Sequence, residues 1–119
     1  MGFVRVKGLI GGSQEAAQEV EFLVDTGSRY TVISSGLARD LGITPTVVTH
    51  AVLANSSRVE MGTAMAYLKL LDREAAVPVG ILEVPIPLLG VTSLELLGLR
   101  VDSVREVIEY SWPFGPAVL

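Results

Sequence analysis

The chain has 119 residues, half of them apolar, and a formal net charge of −4 at pH 7. This length suits one compact domain and is too short for two, so residues 1–119 are expected to form a single domain. The nine basic residues are scattered singly, so no nucleic-acid-binding surface is expected. The chain has no cysteine, which excludes disulfides and thiolate metal sites. The apolar content is rich for a small monomer, and an interface between subunits would absorb the excess.

The most apolar stretch, residues 75–91, is too short to span a membrane comfortably, and it contains Glu83 and three prolines. The first residues are strand-like and carry Arg5 and Lys7, so no signal peptide is expected. The sequence therefore predicts a soluble cytoplasmic protein with no membrane partner.

The first predicted element is an antiparallel hairpin. Residues 2–10 and 19–24 both alternate between apolar and polar side chains, and a turn at 11–13 separates them. In the second strand, Val20, Phe22 and Val24 fall on one face. The hairpin thus delivers Asp25 to the end of a strand.

A short strand at 31–33 comes next and is followed by a short helix. Ser34 and Ser35 are the predicted N-cap residues, residues 37–41 form one or two helical turns, and Gly42 is the stop. A second hairpin is predicted after the helix, with arms at about 48–54 and 58–66. Its tip, residues 55–57, consists of short polar residues that tolerate turn geometry.

Further strands are predicted at 66–71 and 75–84, with a turn at 72–74, before two prolines interrupt the ladder ahead of residues 88–90. The spacing of Thr92 and Glu95 matches a capping box, which predicts a helix from about Ser93 to Leu97 that stops at Gly98. A closing hairpin to Tyr110 and an irregular tail from about 112 to 119 complete the chain. Trp112 and Phe114 of this tail are expected to pack on the body or on a partner.

Short strands with one or two small helices predict a mostly β protein built as a closed or nearly closed barrel.

The segment Asp25-Thr26-Gly27-Ser28 carries the chemistry. An Asp is disfavoured at the end of a buried strand, and a lone carboxylate is costly to bury. Two carboxylates that share one proton would justify the arrangement, yet the chain contains no second copy of the segment. The partner acid must then come from another chain. His50 is the only histidine, so neither a metal site nor a Ser-His triad is expected.

The ordered set of motifs resembles the retropepsin-like aspartic proteases, the single-domain relatives of pepsin. The matching pieces are the hairpin leading into Asp25-Thr26-Gly27-Ser28, then Val32-Ile33-Ser34, the hairpin around Asn55, Leu88-Leu89-Gly90, a short helix, and the last hairpin through Val101-Asp102. Arg29 and Val91 stand where many viral members carry an acidic residue and an Arg, so that ion pair cannot form. The sequence is closer to cellular and prokaryotic members with a single Asp-Thr-Gly.

The resemblance implies a small closed β-barrel that works as an obligate homodimer, with no cofactor and no metal. Asp25 from each subunit would activate a water that hydrolyses a polypeptide bound in extended form. Thr26 would bond the partner loop, Gly27 would allow close backbone approach, and Ser28 would offer its hydroxyl to a carboxylate oxygen. An acidic optimum at about pH 3.5–6 is expected, because two neighbouring carboxylates cannot both ionise easily.

The hairpin over residues 48–66 would close on the cleft as a flap. The residues expected to contact substrate are Arg29, Leu53, Ala54, Asn55, Ser56, Ser57, Met61, Ile86 and Leu88. Arg29 has two interpretations, since it would either favour an acidic substrate side chain or pair with a carboxylate across the dimer. Two alternatives to the endopeptidase stay open at this point: a catalytically weak dimeric module for peptide binding or assembly with the same fold, and an unrelated β-barrel with a chance tripeptide.

Overall fold

The computed structural model describes residues 3–116 and Val118. Gly2, Ala117 and Leu119, which the sequence assigns to the first strand and to the tail, lie outside the described residues. Within the described part, the elements in chain order are β1 (Arg5–Gly11), β2 (Gln18–Asp25), β3 (Thr31–Ile33), α1 (Ser35–Asp40), β4 (Val47–Val52), β5 (Arg58–Leu70), β6 (Arg73–Ile81), β7 (Leu88–Gly90), α2 (Val91–Leu96), β8 (Leu99–Asp102) and β9 (Val107–Tyr110).

Six of these strands close into a barrel. They follow the order β1-β2-β7-β3-β6-β5, and β5 returns to β1 in antiparallel register with Ile10 opposite Leu68. The β2–β7 and β3–β6 pairs are parallel, whereas the other neighbours are antiparallel. The strand β4 lies outside the barrel and pairs with the first part of β5. The mostly β closed barrel with two short helices is therefore confirmed.

The core forms because each long strand turns its apolar positions inward. On β2, Phe22 is fully buried, and Val20 and Val24 pack against the same cluster, as the alternation predicts. Full burial of such a side chain stabilises the fold by roughly 1.5–3 kcal/mol. Each helix adds one apolar side to this core, through Ala38 of α1 and Leu94 of α2. No helix within the described residues is both long enough and apolar enough to cross a membrane.

The strand β5 differs from the sequence expectation. Residues 58–66 and 66–71 are predicted as separate strands, but the structure has one strand of 13 residues, Arg58–Leu70. It stays continuous because its first part pairs with β4 and its second part pairs with β6. The turn that follows is also shorter than predicted, since β6 already begins at Arg73, and β6 ends at Ile81 rather than at Val84.

The helix α2 starts earlier than the sequence predicts, at Val91 instead of about Ser93. Its N-cap is Gly90, which provides no side-chain cap, and Thr92 lies inside the first turn. The capping box of Thr92 and Glu95 is therefore wrong. The physical reason is that β7 runs directly into α2, and the first amides of the helix donate to carbonyl groups of the loop that follows β2. The stop at Gly98 is confirmed by its φ of 67°, in the left-handed region that glycine favours.

A side chain from the barrel holds the C-terminal hairpin of β8 and β9. The Arg73 guanidinium donates to the carbonyl oxygens of Gly98 and Trp112, and it lies 4.4 Å from the centroid of the Tyr110 ring. These bonds fix the start of the tail through its backbone. Trp112 is half exposed and Phe114 is fully exposed, so the tail aromatics do not pack on the body of their own chain, and their packing on a partner stays a prediction.

Candidate active site

A cleft of about 550 Å³ opens between the loop after β2 and the hairpin that β4 makes with β5. One side is the acid loop, residues 25–30, of which all but Thr26 line the cleft. The opposite side is the roof hairpin, residues 47–63, which contributes residues 49–54 and Met61. Leu82, Val84 and Leu88 form the end wall.

Asp25 occupies the last position of β2, where it lies opposite Gly90 of the parallel strand β7. The side chain is half buried and lines the cleft. Its Oδ1 accepts a hydrogen bond of 3.0 Å from the Gly27 amide, and its carbonyl accepts one of 3.0 Å from the Ser28 amide. A Cβ at position 27 would lie 3.3 Å from that carboxylate oxygen, so glycine keeps the acid accessible. The turn thus presents a carboxylate to the cleft with one oxygen held in place.

The acid loop is held by the start of α2. The Val91 amide donates to the Ser28 carbonyl at 2.8 Å, and the Thr92 amide donates to the Arg29 carbonyl at 3.3 Å. The first amides of a helix have no acceptor within the helix, so the loop satisfies them. Because both partners are backbone groups, the loop and the helix start form one fixed unit.

Two buried hydroxyl groups support the loop from beneath. The Oγ1 of Thr31 and the Oγ of Ser93 are 2.6 Å apart, and the Gly90 amide donates to Thr31 Oγ1 at 3.1 Å. Both hydroxyl residues are fully buried. A Cβ at Gly90 would collide with the backbone of Tyr30, so only glycine lets β7 pass this close to the loop.

The Ser28 hydroxyl differs from its expected role. It donates to the Tyr30 carbonyl at 2.7 Å instead of to the Asp25 carboxylate. A short serine side chain readily donates to a backbone carbonyl two residues later, and this local bond sets the curvature of the loop. The expectation that Ser28 bonds the carboxylate is therefore corrected, and the Gly27 amide takes that place.

The roof hairpin contributes both of its arms to the cleft. Met61 is buried and lies opposite Thr49, whereas His50 is exposed, lies opposite Glu60 and also belongs to the cleft lining. At the tip, Asn55 Oδ1 accepts bonds from the amide and the hydroxyl of Ser57 at 3.0 and 2.6 Å. Every bond at the tip is local, because β4 has no strand on its other side within the described residues.

The end wall is tied to α1 by a carboxylate. Glu83 Oε1 accepts bonds from the amide and the hydroxyl of Ser35, at 3.1 and 2.6 Å. These bonds lower the pKa of Glu83, since they favour its ionised form. Leu82 and Val84, on either side of Glu83, line the cleft. The carboxylate therefore anchors the wall from behind.

The structure brings together most of the residues that the sequence singles out. Those that line the cleft are Asp25, Gly27, Ser28, Arg29, Leu53, Ala54, Met61 and Leu88. Those outside its lining in this single chain are Thr26, Asn55, Ser56, Ser57 and Ile86. Thr26 and the three tip residues are exposed, and Ile86 sits between two prolines in the loop that precedes β7.

Sequence reasoning missed part of the cleft. Tyr30, Leu82 and Val84 line it but do not stand out in any motif, and Val32 belongs to a matching motif but was not expected to line the cleft. The one available signal was that Leu82 and Val84 alternate with Glu83 just after β6 ends. Within the described residues, no group of three or more His, Asp or Glu side chains is placed to hold a metal ion.

Comparisons with known proteins agree with this geometry. A family model described as aspartyl protease matches residues 5–104. A retropepsin-like aspartic protease from Rickettsia conorii superposes with a TM-score of 0.62 at 19% identity, covering 86% of this chain and 77% of that one. The EIAV protease complexed with the inhibitor HBY-793 also gives 0.62, at 18% identity, covering 78% of this chain and 86% of that one. No curated protein sequence matches significantly. At these identities the structural matches describe the fold, which is retropepsin-like.

Proposed function

This chain belongs to the aspartyl protease family, and from that membership we propose that it is an aspartic endopeptidase that acts as a homodimer. Each subunit would contribute one Asp25 to a single site on the two-fold axis. The observation that carries this proposal is the placement of Asp25, whose carboxylate lines an open cleft on a loop fixed by the backbone of α2. One carboxylate alone supplies a base or an acid, whereas peptide hydrolysis by this chemistry needs both at once.

The proposed reaction uses the two carboxylates in opposite protonation states. Two carboxylates in contact cannot both ionise easily, so the pair keeps one proton in mildly acidic solution, as aspartic proteases generally do. The ionised Asp25 takes a proton from the bound water as its oxygen attacks the carbonyl carbon. The protonated partner gives its proton to the carbonyl oxygen. The roles then exchange, and the leaving nitrogen receives a proton as the C–N bond breaks.

Other residues of the site are proposed to support the dyad and the substrate. Thr26 is exposed at the end of β2, where it is free to bond the partner loop. Gly27 holds the carboxylate through its amide. The roof hairpin would act as a flap that closes over an extended polypeptide and excludes water, with the tip residues Asn55, Ser56 and Ser57 approaching the ligand only on closure. Leu53, Ala54, Met61 and Leu88 provide apolar walls, and Ile86 borders them.

The decisive experiment is cleavage of an unfolded protein at about pH 4.5, with and without pepstatin. We expect cleavage by the unmodified chain, inhibition by pepstatin and no cleavage by Asp25→Asn. The rate should depend on the square of protein concentration below the dimer dissociation constant, because one chain holds half a site. Asp40→Asn is the matched control, since it removes an exposed carboxylate at the end of α1. An active monomer, or an optimum above neutral pH, would contradict the proposal.

Tight peptide binding without cleavage would support the alternative, a dimeric module for peptide binding or assembly.

We also propose that residues 1–119 act as one protease domain and that this domain works in the cytoplasm. Limited proteolysis that releases only the tail, and cell fractionation, test these two points.

A further inference from the structure

Arg29 places a positive charge in the cleft. Among the described residues that line the cleft, it is the only permanently cationic side chain. Asp25 and Tyr30 are titratable neighbours in the same lining. His50 is a further titratable residue of the lining, on the roof strand β4, where it lies opposite Glu60. The chain as a whole has a net charge of −4, so Arg29 is a local positive charge on an acidic chain.

The guanidinium of Arg29 has no acid partner in the described part of the chain. No carboxylate there lies within 4.0 Å of it, whereas Arg5 and Arg100 pair with Glu21 and Glu109. The backbone at Arg29 is nevertheless fixed, because its carbonyl accepts the Thr92 amide. The acid loop therefore carries an exposed cation on a fixed backbone, and no ion pair within the described residues uses that cation to stabilise the fold.

A peptide bound under the roof would cover this cation. Covering an unpaired guanidinium costs free energy, because water that solvated it is removed. A substrate carboxylate would replace that water with two parallel hydrogen bonds, which is the geometry that an arginine fork prefers. An apolar peptide would have no group to offer there. The cost is thus lowest for a substrate that brings its own negative charge.

We propose that Arg29 makes the cleft selective for polypeptides with a glutamate or aspartate side chain near the scissile bond. This inference rests on the proposed endopeptidase function and names its substrate class. In a two-fold dimer the two Arg29 side chains lie on opposite sides of the axis, so an acidic side chain is favoured on either side of the bond that is cleaved.

The test compares peptides that differ only by Glu or Gln, placed in turn at each of the positions flanking the scissile bond. For the best position, we expect kcat/KM to be about five- to tenfold higher for the Glu peptide, in line with a partly buried ion pair. The ratio should fall to about one in Arg29→Gln and keep an intermediate value in Arg29→Lys. Arg105→Gln is the matched control, because it removes the same charge from the turn after β8, outside the cleft, and should leave the ratio unchanged.

Two conditions sharpen the same measurement. The Glu-to-Gln ratio should rise between about pH 4 and pH 6, as the substrate glutamate ionises. It should fall with added salt, because the pairing is electrostatic. A ratio of one in the unmodified protein, or a ratio that Arg29→Gln leaves unchanged, overturns the inference. So does the other interpretation of Arg29: if it pairs with a carboxylate across the dimer, Arg29→Gln weakens dimerisation and lowers both rates equally.

Binding to the Asp25→Asn variant separates this inference from the proposed function. Fluorescence anisotropy of labelled Glu and Gln peptides measures affinity without turnover. Preferred binding of the Glu peptide that disappears in the Asp25→Asn/Arg29→Gln double variant supports the inference even if the unmodified chain cleaves nothing. Equal binding of both peptides refutes it even if the unmodified chain cleaves both. Absence of both binding and cleavage refutes the two proposals together.

Discussion

The acid loop and the roof hairpin face each other across the cleft but are held in opposite ways. The acid loop is fixed by groups far away in sequence, chiefly the amides of Val91 and Thr92 and the Ser93 hydroxyl, which meets Thr31 at the end of the loop. The roof hairpin is held by the pairing of its own two arms and by bonds within its tip, and it pairs with β6 at its base, through Gly62 and Thr63. The carboxylate is thus positioned by long-range contacts, whereas the hairpin proposed to close over a substrate is built mainly on local ones.

This comparison predicts that the largest effects come from the supports of the acid loop. Gly90→Ala places a methyl group against the Tyr30 backbone, which cannot move without shifting the loop. We expect a loss of about 3 kcal/mol or more in the free energy of unfolding, together with loss of cleavage. Denaturant unfolding measures the first and a peptide assay the second.

Gly36→Ala is the matched control for that change. Gly36 lies in α1, where an added methyl group meets only the end of Arg39 at 3.9 Å. Alanine is the better helix former, so this variant should be more stable by about 0.5–1 kcal/mol. Equal stability of the two glycine variants would remove the distinction between a crowded and an open position.

The second prediction compares one threonine from each side of the cleft. Thr31→Val removes the acceptor of the Gly90 amide and the partner of the Ser93 hydroxyl, which leaves two buried polar groups unsatisfied. A loss of about 2–4 kcal/mol is expected. Thr63→Val removes a bond from its hydroxyl to the Val47 carbonyl in the exposed hairpin, where water replaces it, so the loss should stay below about 1 kcal/mol.

A double variant tests whether Thr31 and Ser93 act as a unit. Thr31→Val with Ser93→Ala should cost less than the sum of the two single changes, because neither hydroxyl is then left alone. Strict additivity in denaturant unfolding would show that the two hydroxyls contribute independently.

The third prediction concerns the end wall and pH. Because the Ser35 bonds lower the pKa of Glu83 in the folded state, its contribution is fully present above the ordinary carboxyl pKa, about 4.3. It is lost as pH falls through the lowered value. Glu83→Gln should therefore be less stable than the unmodified chain near neutral pH, and the two should converge at the lowest pH.

Thermal unfolding across this pH range measures that convergence. Ser35→Ala supplies a second check, since the pKa of Glu83 should then return toward its ordinary range and the pH-dependent part of its contribution to stability should become smaller. A difference between Glu83→Gln and the unmodified chain that persists unchanged to the lowest pH would refute the role of the ionised carboxylate.

The smallest effect on stability is expected at the roof tip. Asn55→Ala removes the two bonds that order the tip, but all groups there are exposed. The free energy of unfolding should change by less than about 0.5 kcal/mol. If the tip closes over substrate, KM should rise while stability does not change, and Asn55→Asp, which keeps the acceptor, should recover most of the binding. An unchanged KM would argue against a closing tip.

Most of the secondary structure could be predicted because its signals are local. Alternation located β1, β2 and both arms of the roof hairpin, and the N-cap Ser34 and the stops Gly42 and Gly98 located the helix ends. The placement of Asp25 after a buried strand identified the candidate acid. Two features that the sequence did not reveal involve partners distant in sequence, whereas the correction at Ser28 involves a bond to Tyr30, two residues later. The first amides of α2 bond the acid loop rather than a capping box, and Glu83 bonds Ser35 across 48 positions.

The sequence by itself determined the strand pattern, the single Asp-Thr-Gly and the family that these imply, because hydrophobic periodicity and turn residues act over a few neighbouring positions. Only the tertiary structure decided what stands beside the acid: the close passage of Gly90, the buried hydroxyl pair and the unpaired guanidinium of Arg29. Those features depend on which strands become neighbours when the barrel closes, and barrel closure is a property of the whole chain, which no short segment encodes.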